Sequence, residues 1–148
     1  MTYQLGTRSK EFLAYVHKDI RAVVEKAIEI TPIDFTVTAG KRTLSEQKEL
    51  VAKGVSQTLK SRHIDGTAVD LAPIVDGKIS FDWQYFFPLA QAMKDAANEL
   101  GIKIRWGGCW DFINDKEGKP EDWVEAYKNY RKSLGKKAFL DGPHFDLG

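Results

Sequence analysis

Asp76-Gly77 lies between two runs rich in strand formers, residues 67–75 and 78–81. A two-residue Asp-Gly turn is a tight hairpin signal, and a tight hairpin joins only antiparallel neighbours. The sheet is therefore expected to be antiparallel where these runs meet. In Asp34–Ala39, Phe35, Val37 and Ala39 alternate with Thr36 and Thr38, the pattern of a half-buried strand. Residues 102–106 and 138–147 are read as further strands, and 106–110 as a loop.

Helical signals alternate with these strands. Ser9 is placed as the cap of a first short helix. Ile20, Val23, Val24, Ala27 and Ile28 form one apolar stripe, with His17 as a surface or capping residue before it. Thr43 and Glu46 make a capping box, opening a helix that runs to Gly54. Residues 82–100 read as a longer helix with Ala90, Met93, Ala97 and Leu100 on its core face; Pro88 predicts a kink or a later start. Pro120 and Gly135 bracket a helix carrying Trp123, Val124 and Tyr127. The polar stretch 111–121 reads as a mobile insertion. The class predicted is α+β, a small antiparallel sheet with helices packed on it.

The 148 residues show no repeat or low-complexity linker, which fits a single domain over 1–148. A chain of this length buries a core without a structural metal. Cys109 is the only cysteine, so an intrachain disulfide and a multi-cysteine zinc site are both excluded. A formal net charge of +1 gives no argument for a nucleic-acid partner. Residues 1–10 carry no apolar signal core, and no stretch is long and apolar enough to span a bilayer. Synthesis in the cytosol is the expectation. Lys128, Arg131, Lys132, Lys136 and Lys137 form a basic run, read as a solvated helix face; attraction to an anionic polymer or membrane surface is the functional alternative.

Chemistry concentrates in Ser61-Arg-His-Ile-Asp-Gly-Thr-Ala-Val-Asp70 and Asp141-Gly-Pro-His-Phe-Asp146, which hold two of the three histidines. His63, Asp70 and His144 are a ligand set that suits Zn2+ and leaves a position open for water. In one unbroken strand His63 and Asp70 would face opposite ways, as would Asp141 and His144. Asp65-Gly66 and Gly142-Pro143 break both runs, so each pair can turn into one cleft. Asp141, held three residues from a ligand by a rigid turn, is the candidate base for the metal's water. Asp-Gly is also ordinary turn chemistry. On spacing alone, the three-ligand site and a pair of plain turns both stand.

These two segments, with Val37-Thr-Ala-Gly-Lys-Arg-Thr43, Gln47 and Arg105-Trp-Gly-Gly108, resemble the D-alanyl-D-alanine carboxypeptidase and L-alanyl-D-glutamate endopeptidase family of zinc peptidases. That family includes single-domain phage endolysins, and the likeness runs from about Val16 to Leu147. The resemblance implies His63, Asp70 and His144 as zinc ligands, Asp141 as base and Arg42 as electrophilic partner of a substrate carbonyl or carboxylate. It implies Gln47 and Ser61 as groove lining. Trp106 is expected to shape the pocket, with an ordinary core role as the alternative. A fixed Arg42 guanidinium beside zinc would also stabilise an oxyanion on physical grounds.

The chain departs from the endopeptidase pattern at Cys109, where relatives often carry aspartate, and in the long stretch 111–137; Cys109 is expected to be a bystander. The implied function is hydrolysis of the peptidoglycan peptide stem at the L-alanyl-D-glutamate bond. The implied agent is a monomeric endolysin without a separate wall-binding domain or stable membrane association. Holin-assisted release would bring it to the periplasm and wall. A D-alanyl-D-alanine carboxypeptidase or dipeptidase on the same site is the first alternative, and a non-catalytic zinc-containing peptidoglycan-binding module the second.

Overall fold

A computed structural model describes residues 2–54, 56 and 61–148. The elements in chain order are α1 (Thr7–Leu13), α2 (Lys18–Ile30), β1 (Asp34–Ala39), α3 (Leu44–Ala52), α4 (Arg62–Asp65) and β2 (Ala68–Val75). They continue with β3 (Lys78–Ile79), α5 (Trp83–Leu100), β4 (Arg105–Trp106), β5 (Asp111–Phe112), α6 (Pro120–Ser133) and β6 (His144–Asp146). The strands form one antiparallel sheet in the order β1-β2-β6-β4-β5, with β3 paired to β2 through the Asp76-Gly77 turn. Asp76 and Gly77 take φ of 52° and 78°, as a turn with two left-handed residues requires. The class is α+β, as expected.

The core lies between the sheet and α2 and α5. All five stripe residues of α2 are buried, together with Phe35 and Val37 of β1, Val69 and Leu71 of β2, and Phe145 of β6. Asp82 caps α5, which runs through Pro88 without starting late, and Gly101 closes it in the left-handed conformation. Ala90, Met93 and Ala97 are buried as predicted, but Leu100, in the last turn, is exposed. No helix among the described residues is long and apolar enough to cross a membrane.

Several boundaries differ from the sequence reading. Gly6, not Ser9, caps α1; Ser9 is buried inside that helix, and its hydroxyl accepts the Val37 N–H at 2.9 Å. His17 caps α2 by accepting the Asp19 N–H. The strand expected over 102–106 shrinks to Arg105–Trp106, because the Asn114 side chain takes the backbone groups of Ile102 and Ile104. The stretch 111–121 contains β5 and is pinned by Asn114 and by the Trp123 indole on the Glu117 carbonyl. The strand expected over 138–147 is only His144–Asp146. Before it, Asp141 and Phe139 bond to Gly107 and Trp110 rather than to a strand, and Pro143 has no N–H for a ladder.

Candidate metal centre and cleft

Asp70 on β2 and His144 on β6 are direct partners in the antiparallel ladder, so their side chains leave the sheet on the same face. His63 arrives from α4, a single helical turn. Ser61 caps that turn by accepting the His63 N–H, and Gly66 ends it with φ of 74°. The break expected at Asp65-Gly66 is thus the end of a helical turn, and His63 and Asp70 never share a strand.

Two contacts fix His63 to the loop after β1. Its carbonyl accepts the Arg42 N–H at 2.8 Å, and its ring Nδ1 donates to the Gly40 carbonyl at 2.8 Å. A carbonyl only accepts, so Nδ1 carries the proton and Nε2 points inward as a lone pair. His144 is oriented the opposite way round: Nε2 lies 2.7 Å from Asp146 Oδ2, which turns Nδ1 inward. His144 Nδ1 is 3.2 Å from His63 Nε2 and 3.6 Å from Asp70 Oδ1, and the remaining edge, His63 Nε2 to Asp70 Oδ1, is 3.2 Å. With both rings neutral in these tautomers, the form that a metal would bind, three acceptors converge with no proton between them. Ligand atoms around a tetrahedral zinc, with bonds of about 2.0–2.1 Å, stand about 3.3 Å apart. The three residues therefore form a group able to hold a metal ion, and their spacing fits one.

The electrostatics also favour positive charge at the centre. Burial disfavours an imidazolium at His144, but hydrogen bonds to Asp146 and Asp70 outweigh it and raise the pKa to about 9. Burial acts to raise Asp70 as well, yet its contacts with the His144 and His63 rings hold its carboxyl far below the usual carboxylate range. The same negative surroundings that hold a proton on His144 attract a divalent cation. Asp141 faces the same cleft, of about 680 Å³, together with Ser61, Arg105 and Trp110. Its own burial, and then the charge of Asp70, push its pKa up to about 6.

The loop that carries Asp141 is held by a backbone exchange. The Asp141 N–H donates to the Gly107 carbonyl at 2.9 Å, and the Gly107 N–H donates to the His144 carbonyl at 2.8 Å. A Cβ at Gly107 would stand 2.3 Å from the Asp141 carbonyl oxygen, so only glycine permits this approach.

A sequence model of the family described as phage L-alanyl-D-glutamate peptidase matches residues 1–148. The chain belongs to that family. It is 37% identical over 119 residues to the L-alanyl-D-glutamate peptidase of Escherichia phage T5, covering 78% of this chain and 87% of that one. Its fold is similar to the crystal structure of the L-Ala D-Glu endopeptidase ChiX of Serratia marcescens. That match has a TM-score of 0.75 at 34% identity, over 98% of this chain and 90% of ChiX.

Within this family frame, the residues expected to line the groove divide into two kinds. Ser61 does line the cleft, besides capping α4. Gln47 is fully buried, and its Oε1 accepts from Arg42 Nη1 at 2.9 Å, so it holds the arginine from behind. Trp106 is also fully buried, and its indole N–H donates to the Gly142 carbonyl at 2.8 Å. Trp106 thus shapes the cleft from beneath, through the residue after Asp141, and does not touch its contents. Arg42 lines the cleft and donates Nη2 to Asp70 Oδ2 at 2.9 Å, leaving Oδ1 directed at the histidines. Cys109 is buried outside the metal group, and burial pushes its thiol up to about 11, the behaviour of an inert core residue.

The sequence reading missed two residues. Trp110 forms part of the cleft wall, with its rings centred 5.1 Å from the His144 ring. Asp146 is fully buried and ties His144 to Arg105, which grips it through Nε at 2.8 Å and Nη2 at 2.9 Å. A signal for Asp146 was available, since two residues along a strand return to the same face. Orienting carboxylates of this kind typically contribute tenfold to a hundredfold in metal affinity. Asp146→Asn is expected to weaken zinc binding by about that factor, read by competition with a chelating dye. Unchanged affinity would show that Asp146 does not tune the ligand.

Proposed function

We propose that the protein is a zinc-dependent endolysin that hydrolyses the L-alanyl-D-glutamate bond in the peptide stem of peptidoglycan. The convergence of three metal-ligand acceptors beside Asp141, in a chain of a family named for this bond, carries the reading. His63 Nε2, one Asp70 oxygen and His144 Nδ1 would hold the ion. When bound, zinc supplies a Lewis acid and brings the pKa of a water from about 15.7 to about 7.

The chain's own residues supply the rest. Asp141 takes the proton of the attacking water and delivers it to the leaving amine nitrogen. Its raised pKa suits a group that must both accept and release a proton near neutrality. Arg42 fixes Asp70 through one nitrogen, and its positive charge faces the oxyanion that develops on the scissile carbonyl. Asp146 and Gly40 keep both imidazoles in the ligating tautomer. The proposal includes action as a monomeric single domain over 1–148, reaching the wall through holin-assisted release.

Chelation tests the metal. EDTA is expected to abolish lysis of purified peptidoglycan, with recovery on adding zinc; activity that survives complete metal removal would refute the mechanism. Mass spectrometry of the products tests the bond. A new N-terminal D-glutamate supports the endopeptidase, and released D-alanine would transfer the site to carboxypeptidase chemistry. Binding without any cleavage would leave a peptidoglycan-binding module.

A further inference from the structure

The proposed bond places a glutamate on the leaving side of the cut. Glutamate has two carboxyl groups and a peptide continues through one of them, so a free carboxylate lies close to the scissile nitrogen. It enters a cleft already lined by Asp70, Asp141 and Asp146. A carboxylate is accepted there only where a cationic side chain keeps a free N–H after the internal ion pairs are made.

Arg42 has both terminal nitrogens engaged within the protein, Nη1 on Gln47 and Nη2 on Asp70. Arg105 does not. Its Nε and Nη2 hold Asp146, and Nη1 has no hydrogen-bond partner among the described residues. The Arg105 side chain is 27% exposed and lines the cleft.

The sheet also places Arg105 correctly. It is the ladder partner of Asp146, and His144, two residues before Asp146, is the partner of Asp70. The four side chains therefore share one face, and the open edge of Arg105 stands one strand away from the metal group. A guanidinium already locked on one side presents its remaining N–H in a fixed direction, the geometry that suits carboxylate recognition. Arg62 also lines the cleft, but its side chain is 47% exposed and only 3.8 Å from Asp65, so water weakens any pairing it makes.

We infer that Arg105 binds the free carboxylate of the glutamate on the leaving side and so makes the enzyme select glutamate over its amide. This rests on the L-alanyl-D-glutamate reading above. Arg105 is then a specificity-determining residue as well as the support of Asp146.

The test compares two stem peptides that differ only in whether that glutamate group is carboxylate or carboxamide. A hydrogen bond between charged partners corresponds to a preference for the acid of about tenfold to a hundredfold in kcat/KM. Arg105→Gln is expected to bring the two peptides to near parity, and Arg105→Lys, which keeps the cation, to retain part of the preference. Any loss through Asp146 lowers both peptides by one factor and cancels in the ratio. Arg62→Gln is expected to leave the ratio unchanged. The inference is overturned if the unaltered protein shows no preference, if Arg105→Gln preserves the ratio, or if Arg62→Gln abolishes it. In each of those cases the bond assignment still stands. Failure to cut either peptide between alanine and glutamate would instead overturn the bond assignment, and the inference with it.

Discussion

Asp141→Asn is expected to lower peptidoglycan lysis by about a hundredfold to ten-thousandfold, the usual range for loss of a positioned general base. The variant should keep its metal and its fold. Asp141 contributes its backbone, not its carboxylate, to the exchange with Gly107 and His144, and it stands outside the metal group. Zinc stoichiometry, circular dichroism and single-turnover cleavage of purified peptidoglycan together read this out. Lysis at the unaltered rate would remove Asp141 from the mechanism. A simultaneous loss of zinc would make it a structural support instead of a base.

The second large effect is expected at a residue with no side chain. Gly107→Ala drives a methyl group against the Asp141 carbonyl, where 2.3 Å is available. Backbone must move, because the obstructing atom is not the end of a flexible side chain. The adjustment breaks or stretches the exchange that seats both Asp141 and His144. Overpacking of this kind costs about 1–3 kcal/mol, measurable as a lower urea midpoint. The catalytic loss should exceed what that instability explains, since a displacement of about 1 Å can cost about a hundredfold in rate. Activity per folded molecule separates the two effects. A variant with unaltered midpoint and rate would show that the loop accommodates a side chain.

The candidate ligand types were legible because few residues can do such work: a chain with three histidines offers few ligand sets. Their meeting was not legible. The opposition of Asp70 and His144 depends on the pairing of β2 with β6, a contact between distant segments that no local pattern encodes. The four-residue turn α4 is too short to produce an apolar period, so His63 was read as lying in a broken strand. Gln47 and Ser61 are both polar side chains, yet one is buried behind Arg42 and the other faces the cleft. Residue type alone does not separate those outcomes. The long helices were read well because their stripes repeat over several turns, as Ile20 to Ile28 does. The short strands β4 and β5 were misjudged because two residues carry no alternation.

The pairing of β2 with β6 has a consequence for how such a protein can change. Asp70 and His144 occupy one face of the ladder, while their neighbours Val69 and Phe145, also paired, are fully buried on the other. A slip by one residue would expose the apolar pair and turn the ligand pair into the core at the same stroke. Burial of Val69 and Phe145 therefore acts as the gauge that spaces the candidate metal ligands. A substitution in that buried pair is heard in the cleft without altering any residue there, so the tolerance of this core is bounded by chemistry on the opposite side of the sheet.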